Sequence, residues 1–170
     1  TGLRPRLRVI GDGPMAATWR DLAQQLGLES QVRFEGSLHG EPLARALAEC
    51  RIGVVPSVWE EPMGMVAAEF LAAGVVPLVS ERGGLAEVVG SAGLCFANGD
   101  PLALAAQLAR LLDTTGDSPP AAAASGPDGE PDVELLLREL LGQAPVQLRR
   151  FEPARIAARY AALYRRLVGR

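Results

Sequence analysis

The chain has 170 residues, 48% of them hydrophobic and 22% charged, which is enough for one globular domain with a sizeable core, or one domain with an appendage. A net charge of −3 gives no reason to expect nucleic acid or an anionic membrane as partner, and no apolar run is long enough to span a bilayer. Cys50 and Cys95 lie in apolar contexts without metal-site spacing, which predicts buried thiols in a reducing, cytoplasmic setting and no metal centre.

In chain order, Thr1-Gly2-Leu3-Arg4-Pro5 has neither a Met start nor an apolar signal region, so the sequence is expected to begin in mid-protein. Apolar, β-branched runs then predict strands over 7–10, 32–35, 52–55, 75–79 and 94–96. Helical patterns fall between them at 15–26, 42–50, 64–73, 85–89 and 102–112. This alternation argues for an α/β fold, a Rossmann-like parallel sheet with helices on both faces. From 113 to 131 the composition turns to Thr, Gly, Asp, Ser, Pro and an Ala tract, which predicts a flexible linker without the apolar surface to offset its ordering entropy. An amphipathic helix over 133–141 follows, then a loop holding Pro145. The last helix, 153–168, carries Ile156, Tyr160, Leu163, Tyr164 and Leu167 at core spacing. The organisation expected is a ligand-binding core over 1–112, a linker over 113–131, and helices over 132–170 packing on that core.

The segment from Pro56 to Glu69 concentrates the chemistry. Glu61 and Glu69 bracket a Pro-Met-Gly turn and the start of a helix whose residues from Met65 to Ala73 are apolar except for Glu69. Such a helix reads as buried nearly all round, where an unpaired carboxylate would be costly. The backbone N–H groups of Met63, Gly64, Met65 and Val66 stand at the helix start, where donors lack intrahelical partners and favour a phosphate or another anion. An anion site beside two carboxylates suits a sugar joined to a nucleoside diphosphate.

Five motifs in order strengthen that reading. Leu7-Arg8-Val9-Ile10-Gly11-Asp12-Gly13-Pro14, Val32-Arg33-Phe34-Glu35-Gly36, Val54-Val55-Pro56-Ser57, the Glu61 to Glu69 spacing, and Gly83-Gly84-Leu85-Ala86-Glu87-Val88-Val89 follow one another at consistent gaps. Together they resemble the C-terminal, donor-binding domain of retaining GT-B glycosyltransferases of the family 4 type. The resemblance implies that Glu61 faces the donor sugar and the charge developing at its anomeric carbon, and that Glu69 takes the ribose hydroxyls. Gly64 and its neighbours Met63, Met65 and Val66 would donate to the sugar or the distal phosphate. Gly11 and Gly13 would open a strand end toward the ligand, and Phe34 with the loop 37–40 would border the nucleobase. It further implies a metal-independent reaction without a cofactor, a nucleotide sugar as donor, a sugar, lipid or small-molecule acceptor, and an N-terminal GT-B domain completing the cleft.

Each of these residues also has a plainer role. Glu61 could be a carboxylate favoured by the helix dipole, Glu69 a solvent-facing or Arg-paired side chain, and the glycines turn formers. Arg33 reads as a strand-face charge, and His39 is not assigned to catalysis. All 17 basic residues are arginine, so the Lys that the resembled family sets against the pyrophosphate has no counterpart here. A non-catalytic nucleotide-sugar-binding module and a ligand-free interaction domain stand as alternatives.

Overall fold

A computed structural model describes residues 4–112 and 132–169, so the linker expected over 113–131 lies outside the described residues. The chain divides into two compact units, Thr1–Glu49 and Cys50–Arg170.

In the first unit, Leu7–Ile10 (β1) and Val32–Gly36 (β2) pair in parallel, with Ala16–Gln25 (α1) between them and Gly40–Ala48 (α2) after them. Leu7 faces Val32 and Val9 faces Phe34; the register then slips so that Ile10 faces Gly36. The small core is closed by Ala23 of α1 and Ala46 and Leu47 of α2. Charge adds to it. Arg8 on β1 reaches Glu35 on β2 at 2.9 Å and Glu49 at the end of α2 at 2.5 Å.

The second unit is a three-stranded parallel sheet in the order Ile52–Val55 (β3), Val76–Ser80 (β4), Leu94–Phe96 (β5). Met65–Ala72 (α3) and Leu85–Val89 (α4) cross over between strands, and Pro101–Leu112 (α5) follows the last. Every residue of β4 is buried, and its alternation sorts two cores. Val76 and Leu78 pack with Phe96, Leu111, Val133, Leu137 and Leu140. Val79 packs on the other face with Val55, Ala67, Leu85, Val88 and Val89. Gly53 on β3 is where α3 lies closest to the sheet, since a Cβ there would sit 2.3 Å from the Phe70 ring. Helices therefore cover both faces, as the alternating pattern predicts. α5 starts where Asp100 accepts the N–H groups of Leu102 and Ala103, both at 2.9 Å, with Pro101 at the first helical position.

Three expectations are corrected. The segment after 141 is not a loop: Val133–Leu148 (α6) is one helix with Pro145 inside it. Proline in a helix interior costs about 3 kcal/mol, but Leu137, Leu140, Ala144 and Gln147 are all buried here, and that packing outweighs the lost bond. The last helix, Pro153–Val168 (α7), has no buried residue, and Tyr160, Leu163, Tyr164 and Leu167 stand in solvent rather than in a core. Both sheet faces of the unit are already covered by α3 to α6, leaving that stripe no apolar surface there. Finally, α3 is not buried all round. Ala67 and Leu71 face the core, whereas Met65, Val66, Glu69 and Ala72 are exposed.

Candidate functional site

Because β3, β4 and β5 run parallel, the loops leaving their carboxyl ends gather on one edge of the second unit, where ligands of open α/β sheets bind. These loops carry Ser57 after β3, Arg82, Gly83 and Gly84 after β4, and Asn98 after β5. Glu61 is built into this edge through its backbone, which forms a bridge with Gly83 and accepts the Gly84 N–H at 2.6 Å. The Gly83-Gly84 pair makes that approach possible. A Cβ on Gly83 (φ +76°) would sit 2.5 Å from the Glu61 carbonyl, and one on Gly84 would sit 2.2 Å from that of Pro62.

The Glu61 side chain is fixed as well. Its Oε1 accepts a hydrogen bond from the Ser57 hydroxyl, and Oε2 lies 3.3 Å from where a Cβ on Gly64 would be. Gly64 caps α3 in the left-handed region (φ +71°), which a side chain would strain and for which there is no room against Leu85. From there the first-turn N–H groups of Met65 and Val66 lead the helix with no intrahelical acceptor. Both side chains are exposed, as is that of Met63. A half-buried, oriented carboxylate thus neighbours the positive end of a helix dipole.

Glu69 occupies the exposed face of α3, on the same side as Met65. Among the described residues its carboxylate makes no ion pair and no hydrogen bond, so the Arg-paired alternative does not hold there. The desolvation argument for Glu69 falls with the corrected burial of the helix. The solvent-facing alternative is the one the structure shows for this side chain.

Two side chains that the motif reading passed over organise this edge. Asn98 accepts the Arg82 N–H at 2.9 Å and donates to the Ser57 carbonyl at 3.1 Å, joining the three strand ends. Gln147 of α6, only 5% exposed, donates to the carbonyls of Glu87 at 2.5 Å and Val88 at 2.9 Å, and so caps α4 from outside. Neither left a signal beyond an amide side chain in a loop or after a Pro. Glu87 pairs with Arg150 at 3.8 Å rather than with the site. Cys50 and Cys95 are half-buried rather than fully buried as expected, and burial, then the charge of Glu81, push the Cys95 thiol above the ordinary range.

The remaining predicted residues belong to the first unit. Gly11 (φ +126°) follows β1 and donates its N–H to Gly36 at 2.8 Å, and the Gly13 N–H is taken by the Asp12 side chain at 2.8 Å. No atom lies within 4 Å of a Cβ built on either glycine, so both leave an open strand end. Phe34 is half-buried, with the Arg20 guanidinium 5.1 Å from its ring centroid. Arg33 is the strand-face charge expected, paired with Glu35 at 3.0 Å. Exposed His39 precedes α2 without capping it. Among the described residues no cluster of three His, Cys, Asp or Glu could hold a metal, and no helix is long and apolar enough to cross a membrane.

Residues 3–114 match the family described as Glycosyl transferases group 1. An uncharacterized glycosyltransferase of Methanocaldococcus jannaschii is 39% identical over 84 residues, which is 49% of this chain and 21% of the relative. A D-inositol 3-phosphate glycosyltransferase of Corynebacterium efficiens is 37% identical over 105 residues, 59% of this chain and 24% of the relative. Among solved structures, sucrose-phosphate synthase from Thermosynechococcus elongatus superposes with a TM-score of 0.71 at 27% identity, over 96% of this chain and 39% of that one. Anabaena HepE, in complex with UDP and glucose, shares the fold with a TM-score of 0.68 at 19% identity, over 92% of this chain and 40% of that one. This chain therefore spans less than a quarter of the length of these two curated relatives.

Proposed function

The chain belongs to the group 1 glycosyltransferases, and from that premise we propose that it is the donor-binding domain of a retaining, family 4 type enzyme that moves a sugar from a nucleoside-diphosphate sugar to an acceptor. The observation that carries this reading is Glu61. Its carboxylate is oriented by Ser57, and its backbone is braced by Gly83 and Gly84 at the carboxyl ends of the strands.

A carboxylate fixed before the reaction stabilises an oxocarbenium-like transition state without reorganising as charge develops. The first-turn N–H groups of α3 would take the phosphate or sugar oxygens, so the donor's charge is met by backbone dipoles and not by a metal ion. Glu69 would accept hydrogen bonds from the vicinal ribose hydroxyls, two donors for two oxygens. In this reading, as the resemblance implies, the enzyme is cytoplasmic and its acceptor is held by an N-terminal domain. Alone, the chain would bind donor weakly and turn nothing over.

Titration with UDP, ADP and their glucose esters, with and without a chelator, tests this, and the bases are those of solved neighbours. Glu69→Ala should weaken free nucleotide and sugar nucleotide alike, by about 1–3 kcal/mol for a lost charge-assisted hydrogen bond. Glu61→Ala should leave the free nucleotide unchanged and weaken only the sugar ester. Equal losses of free nucleotide in both variants would contradict the division of roles, and binding abolished by chelator would contradict the metal-free site.

A further inference from the structure

We propose that Asn98 is a positioning residue for Glu61, acting through Ser57 and Arg82; as a statement about catalysis, this rests on the role given to Glu61 above. Glu61 is approached from two sides. Its carboxylate takes the Ser57 hydroxyl, and its backbone takes the Gly83–Gly84 turn. The Asn98 amide ties both approaches together, since Nδ2 donates to the Ser57 carbonyl at 3.1 Å while Oδ1 accepts the N–H of Arg82, next to Gly83, at 2.9 Å.

Packing does not hold the intervening loop. Val58 is 78% exposed and Trp59 60% exposed, and Glu60 also faces solvent, so little apolar burial restrains the chain between Ser57 and Glu61. A polar clamp supplies the order instead. With the Ser57 carbonyl fixed, its hydroxyl is aimed; with Arg82 fixed, the glycine turn stays against the Glu61 backbone. Releasing the amide frees both supports while leaving the two apolar cores untouched, because Asn98 belongs to neither. Positions held by such supporting hydrogen bonds set the precision of a site.

The test uses the 170-residue chain, isotopically labelled, as wild type, Asn98→Ala, Asn98→Asp, Glu61→Ala and the Asn98→Ala/Glu61→Ala double variant. Without ligand, Asn98→Ala should shift the Glu61 carboxyl and Ser57 side-chain carbon resonances and leave α3 and α6 amides in place. Asn98→Asp keeps the acceptor for Arg82 but loses the donor to Ser57. It should shift the same two resonances while the Arg82 amide stays protected from exchange, and it serves if the alanine variant fails to fold. With ligand, Asn98→Ala should lower the affinity for UDP-glucose relative to UDP about three- to tenfold, the scale of one hydrogen bond. That loss should vanish in the Glu61→Ala background. Unmoved Glu61 and Ser57 resonances in both Asn98 variants, or a loss that persists without Glu61, would overturn the proposal. A wild-type chain that binds neither ligand while its Glu61 resonance still follows Asn98 would refute the donor-site reading and leave the positioning role standing.

Discussion

Gln147 offers a measurable test of how the second unit is held together. The last carbonyls of a helix lack intrahelical donors. In α4 the Ala86 carbonyl takes the Gly90 N–H, and those of Glu87 and Val88 both take the Gln147 amide. The contact is tight, since a Cβ on Gly90 would sit 2.7 Å from the Gln147 side-chain oxygen. Gln147→Leu keeps much of the buried volume and removes both donors. Each carbonyl left unsatisfied costs about 1–3 kcal/mol, and that of Glu87 rehydrates in part, so the expected loss is about 2–4 kcal/mol. That is a large share of a domain stability of roughly 5–15 kcal/mol, and corresponds to a fall in melting temperature of about 4–16 °C. Urea denaturation read by circular dichroism measures it, with amide exchange in α4 showing where the stability went. A change below about 0.5 kcal/mol, the range of ordinary surface substitutions, would refute the idea that Gln147 caps this helix. Gln147→Ala should lose at least as much, because it adds a cavity to the same two unpaired carbonyls.

Two of the motif glycines should respond oppositely. Gly84→Ala drives a methyl into the Pro62 carbonyl at 2.2 Å and should destabilise by about 1–3 kcal/mol, while Gly13→Ala meets no atom within 4 Å and should stay within about 0.5 kcal/mol of wild type; equal melting temperatures for the two variants would show that the close approach at Gly84 is not what selects glycine. The raised pKa of Cys95, from burial first and Glu81 second, should slow its alkylation by iodoacetamide near pH 8 relative to the urea-unfolded chain. By linkage the folded state holds that proton more tightly, so the contribution to stability is complete below the unfolded thiol pKa, about 8.5, and is lost as pH rises through the higher folded value. Cys95 alkylation as fast in the folded chain as in urea would contradict both.

Local information sufficed for much of the molecule. Strands β1, β3 and β5, and helices α4 and α7, have the bounds that hydrophobic runs and Gly or Pro punctuation predict, and the other elements of the α/β core differ by at most two residues at either end. The parallel arrangement accords with the alternation, because parallel neighbours need a long crossover, usually a helix, that covers a sheet face. The candidate carboxylates were chosen from spacing, since adjacent Glu60 offers the same chemistry as Glu61 and only Glu61 stands eight residues before Glu69.

What the sequence could not decide depends on partners distant along the chain. Pro145 reads locally as a helix stop, yet α6 runs through it because Ala144 and Gln147 are buried against Ala92 and α4. The apolar run of α3 reads as burial on every side, but a helix has only one face toward a sheet, so Met65, Val66 and Glu69 are left outside. The stripe on α7 reads as core, but both sheet faces of its unit were already taken. Asn98, 41 residues from Ser57, and Gln147, 60 from Glu87, carry no periodic or motif signal. A hydrogen bond needs only one donor and one acceptor brought within about 3 Å, and that distance is set by the fold, whereas periodicity is set by the local backbone.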